Sequence, residues 1–82
     1  MTTNELYEVT KYIQKTGKRG LHSWVNKNAR EIGYSKNPNG FQDLKDDILI
    51  GMDGLEEQGR LTECVCTLNH LLEIIEMRSR KG

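Results

Sequence analysis

The apolar residues at the C-terminal end recur at helical spacing, and that rhythm constrains the fold more than any other feature. Leu61, Val65, Leu68, Leu72 and Ile75 follow a 4-3-4-3 pattern within residues 60–79. This is the two-heptad seam of a helix that packs on another helix. Cys64, Leu71, Ile74 and Met77 widen the stripe, so the helix is expected to meet more than one neighbour. Residues 41–58 carry a second stripe, Phe41, Leu44, Ile48, Met52 and Leu55, with 3-4-4-3 spacing. Gly51 and Gly54 interrupt that segment. Each costs about 1 kcal/mol relative to alanine in a helix, and each suits a close approach by another backbone. Residues 48–50 and 61–68 also admit a strand reading, but the periodic run to Met77 favours helix.

The N-terminal half has the same character. Thr2 and Glu5 match a capping box, and Leu6, Val9 and Ile13 continue the pattern, which predicts a helix over 3–16. Gly17 suits a C-terminal cap, and Gly17-Lys18-Arg19-Gly20 reads as a short basic turn. Leu21, Trp24, Val25, Ala29 and Ile32 form one face of a helix over 21–32. Gly33 is the expected stop, and residues 33–40, with Pro38 among Asn and Gly, are the expected loop. The expectation is one all-α domain over residues 1–82, a small bundle of about four helices. A domain of this length buries only about 60–65% of its unfolded surface, so oligomerisation is a natural route to further burial.

The longest uninterrupted apolar run is three residues, Ile48-Leu49-Ile50. A spanning helix needs about 20, so direct membrane insertion is not expected. The start of the chain lacks the pattern of a secretory leader, and the two cysteines, Cys64 and Cys66, do not form a disulfide framework. Both features point to a reduced, cytoplasmic setting.

The formal net charge is zero, but the zero hides a division. Residues 1–40 hold seven bases against three acids, and residues 41–82 hold five bases against nine acids. Stretch 41–77 has two bases and nine acids. A division of this kind can steer a charged partner.

Three chemical readings can be drawn from these residues. Cys64, Cys66, His22 and His70 could be drawn as a zinc site, but the Cys-x-Cys spacing splays the two thiols about 200° apart on a helix. Asp43, Asp46, Asp47, Asp53, Glu56 and Glu57, with Glu73 and Glu76, could be read as a metal-dependent nucleotide hydrolase. No glycine-rich phosphate cradle accompanies them, and solvated acidic faces are far commoner. Lys15, Lys18, Arg19, Lys27, Arg30 and Lys36, with Trp24 and Tyr34, could serve a small helical nucleic-acid-binding or transcription-regulating protein. The acidic C-terminal half would repel phosphate. The expectation is therefore a non-enzymatic protein with no cofactor and no metal.

What remains is recognition by helix packing. The apolar residues of 41–77 outnumber what so short a chain is expected to cover from within. The expected partner-binding residues are Leu44, Ile48, Met52, Leu55, Leu68, Leu72 and Ile75, flanked by Asp43, Asp47 and Glu56. Such a face would take an amphipathic partner helix or a second copy of the chain.

The opening Met1-Thr2-Thr3-Asn4-Glu5-Leu6-Tyr7-Glu8-Val9, the length and the helical pattern resemble the small cytoplasmic antiholins of T-even phages, the third of the rapid-lysis proteins. The resemblance covers the whole chain. It implies a lysis-inhibition regulator that binds the cytoplasmic N-terminal segment of the phage holin and delays hole formation. It carries no assigned functional residues.

Overall fold

The computed structural model describes residues 1–35 and 39–81. The fold is all-helical: α1 spans Thr3–Ser35, α2 spans Gly40–Glu57 and α3 spans Leu61–Lys81. No strand occurs among the described residues, so 48–50 and 61–68 are both helical. Among the described residues, no helix is long and apolar enough to cross a membrane.

The described residues form three helices rather than four, and the reason is a single residue. The expected helices 3–16 and 21–32 run together as α1, with a break at Gly17. Gly17 has φ 72° and ψ −155°. Glycine enters this region freely, whereas a Cβ makes it costly. One residue therefore bends the chain, and the basic turn expected over 17–20 shrinks to Gly17 itself. Gly20 is already helical and buried, and a Cβ there would collide with the Thr16 side chain. The bend leaves an N-limb, residues 3–16, and a C-limb, residues 18–35. The C-limb also runs past its expected stop, because Gly33 continues the helix to Ser35. Of the expected 33–40 loop, the Pro38 turn lies outside the described residues.

The other ends are built locally. The Thr2 hydroxyl accepts the Glu5 N–H at 3.1 Å, which supplies the expected cap of α1. At the end of α2, Gly59 sits at φ 73°. Its N–H donates to the Glu56 carbonyl, and the Arg60 N–H donates to the Leu55 carbonyl at 2.9 Å. These two bonds make a Schellman closure, so α3 can start at once.

All three helix pairs are in contact. The core joins Leu6 and Ile13 of the N-limb, Leu21 and Val25 of the C-limb, Ile48 and Leu55 of α2, and Cys64, Leu68, Leu71 and Ile75 of α3. Thr10 is buried within it, its hydroxyl donating to the Leu6 carbonyl at 2.9 Å. Gly51 faces the N-limb, and a Cβ there would lie 2.7 Å from Leu6 Cδ2. Gly54 likewise faces Thr3. Both glycines thus permit the close approach that their positions suggested.

The seam of α3 is shifted from the expected one. Its fully buried residues are Cys64, Leu68, Leu71 and Ile75, while Leu61, Val65 and Leu72 are half-buried. The rhythm is right and the centre is displaced, because α3 packs against both α1 and α2 and buries the middle of a wide apolar arc.

Candidate partner-binding surface

Burial divides the expected partner-binding residues into two groups. Ile48, Leu55, Leu68 and Ile75 are at most 1% exposed. They hold the fold together and cannot meet a partner while the chain is folded. Leu44, Met52 and Leu72 are half-buried and pack against the same core. The apolar excess of 41–77 is thus largely consumed within the chain, against expectation, because every helix lends a face to one core.

The three acids remain at the surface but do not form one site. Asp47 carries an ion pair with the Met1 amino group at 3.9 Å. Glu56 lines a shallow hollow of about 320 Å³ with Gly59, Leu61, Thr62 and Val65. Asp43 lies in the first turn of α2, where a negative charge suits the helix dipole.

A different face of α2 is left open. Leu49 is 41% exposed and Ile50 is 65% exposed. On a helix of 3.6 residues per turn, both lie beside Asp46, Asp53 and Glu57, and all five are exposed. Gln42 donates to Asp46 at 3.0 Å on the same face. The result is an outward strip of two branched apolar side chains set among three carboxylates. Lys45, the one base of α2, is half-buried. The strip was readable in outline: Leu49 and Ile50 fall off the 3-4-4-3 stripe, so a helix that buries the stripe must turn them outward.

A second feature lies between the limbs of α1. Their facing sides line an open cleft of about 540 Å³, formed by Met1, Glu5, Glu8, Val9, Tyr12, Trp24, Lys27, Asn28 and Glu31. Trp24 is half-buried and packs against the core, and Tyr12 is 48% exposed.

The residues behind the other chemical readings do not converge. Among the described residues, no three His, Cys, Asp or Glu side chains meet where a metal ion could sit. Cys64 is buried and Cys66 is exposed, so the two thiols face opposite ways as the helical spacing requires. Burial pushes the Cys64 thiol above its ordinary range, and the charge of Glu63 acts in the same direction. Lys11 and a hydrogen bond with Thr10 partly oppose them. Lys15, Lys18 and Arg19 are exposed around the Gly17 bend, and Lys27 and Arg30 are exposed on the C-limb.

No protein-family model matches the chain, and no curated protein or solved structure matches it.

Proposed function

We propose that the chain is a non-enzymatic regulator that captures a segment of a partner protein on the outward strip of α2. The carrying observation is the pairing of exposed Leu49 and Ile50 with Asp46, Asp53 and Glu57. Apolar contact supplies affinity, and the carboxylates select a basic amphipathic segment and speed its encounter. The acidic balance of residues 41–77 extends the same preference beyond the strip.

The specific reading is a cytoplasmic antiholin. Its partner would be the cytoplasmic N-terminal segment of a phage holin, and its effect would be delayed lysis. The resemblance at Met1–Val9 and along the helical pattern supports it, and the strip supplies a surface of suitable chemistry. Self-association belongs to the same proposal, since a second copy could cover Leu49 and Ile50 when no partner is present.

The test is titration of the isolated holin segment into the whole chain and into an Ile50→Lys variant. The expected result is saturable micromolar binding that weakens about tenfold or more in the variant, as loss of an apolar anchor and reversal of local charge both act against it. No binding at micromolar concentrations overturns the antiholin reading. Equal binding by the variant overturns the strip. Light scattering on both proteins tests self-association, and a dimer that Ile50→Lys dissolves supports it.

A further inference from the structure

We propose that the cleft between the limbs of α1 is a binding site for an organic cation, an alkylammonium or guanidinium group. The cleft measures about 540 Å³, within the range of small-ligand sites. Its lining combines two aromatic rings, Tyr12 and Trp24, with the carboxylates of Glu5, Glu8 and Glu31. Among the described residues Lys27 is the only basic side chain there, and the Met1 amino group is engaged by Asp47. Among the described residues, Glu5, Glu8, Glu31 and Lys27 form no ion pair. The lining therefore has a surplus of two negative side chains.

The same fold shows how its rings meet cations. Lys11 Nζ lies 5.2 Å from the centroid of the Tyr7 ring, and the Arg60 guanidinium lies 4.9 Å from it. Tyr7 is thus served by two cations of the chain itself. Tyr12 and Trp24 have no such cation over them among the described residues. A ring face attracts a cation most strongly when the site is partly shielded from water. Carboxylates at the rim add attraction and exclude anions. Rings without a cation, acidic side chains beside them and an open cleft between the two limbs together select a group with positive charge on an apolar stem.

Two sources carry that chemistry: a basic side chain on a protein segment, or a free amine. Trp24 is the only tryptophan of the chain, so its fluorescence reports on the cleft directly. The experiment titrates butylguanidinium, its neutral counterpart butylurea, spermidine and a short Lys/Arg-containing peptide into the whole chain. The expected result is a saturable change in Trp24 emission at millimolar butylguanidinium and none with butylurea. A Glu8→Gln/Glu31→Gln variant should bind about fivefold more weakly, because the carboxylates are exposed and screened. Tyr12→Leu should also weaken binding, with helical content checked by circular dichroism. A stronger response to the peptide than to spermidine assigns the site to a protein segment, and the reverse assigns it to a free amine. Equal responses to butylguanidinium and butylurea overturn the proposal, as does an unchanged response in the double variant. The probes bind at the cleft rather than at α2, so their result is independent of the holin-segment titration.

Discussion

Cys64 and Cys66 show how two positions of spacing decide a residue's chemistry. The intervening residue turns one thiol into the core and the other to solvent. A thiol reagent is expected to label Cys66 quickly and Cys64 slowly in the native protein, with both reacting quickly in denaturant. Equal native rates would contradict the burial. The raised Cys64 pKa also has a sign for stability. The folded state holds the thiol proton more tightly than the unfolded chain, so stability is retained below the ordinary thiol pKa and declines as pH rises beyond it. A urea titration of a Cys66→Ser variant across that range should show the midpoint falling at high pH. The opposition of the two thiols was legible from the sequence, because it follows from helical geometry alone. Cys64 was also legible as the inward one, because it falls on the widened apolar stripe, whereas the centre of that stripe, which runs through Cys64 and Leu71 rather than through Leu61 and Leu72, was not.

At the scale of elements, glycine position separates what periodicity could and could not reveal. Gly51 and Gly33 are both helical, but a Cβ at Gly51 would press on buried Leu6 while one at Gly33 meets nothing within 4 Å. Gly51→Ala is expected to destabilise the fold by about 1–2 kcal/mol, overpacking outweighing the gain in helix propensity. Gly33→Ala is expected to stabilise it by up to about 1 kcal/mol. Urea unfolding of both variants checks the pair, and a stabilising Gly51→Ala would contradict the close packing of α2 on the N-limb. The four amphipathic stretches were legible because each carries its own apolar rhythm. Their joining at Gly17 was not, because Gly17-Lys18-Arg19-Gly20 reads equally well as a turn. Only the φ of one residue distinguishes a turn from a kink. Gly33 misled for the same reason: glycine permits a helix end without requiring one.

For the whole molecule, the expected surplus of apolar surface was the least accurate reading. Three helices, one of them bent, supply four faces to a common core, and Ile48, Leu55, Leu68 and Ile75 disappear into it. The large apolar side chains left open are Leu49 and Ile50 among the acids of α2, together with Tyr12 on the N-limb and Met77 toward the end of α3. The charge division survives folding as an exposed acidic strip on α2 and exposed bases around the bend of α1. Capture of a basic segment should therefore weaken with added salt, as screening shortens the reach of exposed charges to about 8 Å at physiological ionic strength. The most direct measurement is a backbone amide shift map of the labelled chain as the holin segment is added. Capture on α2 predicts the largest shifts at Asp46, Leu49, Ile50, Asp53 and Glu57. Shifts centred on Lys15, Lys18 and Arg19, with α2 unmoved, would contradict it.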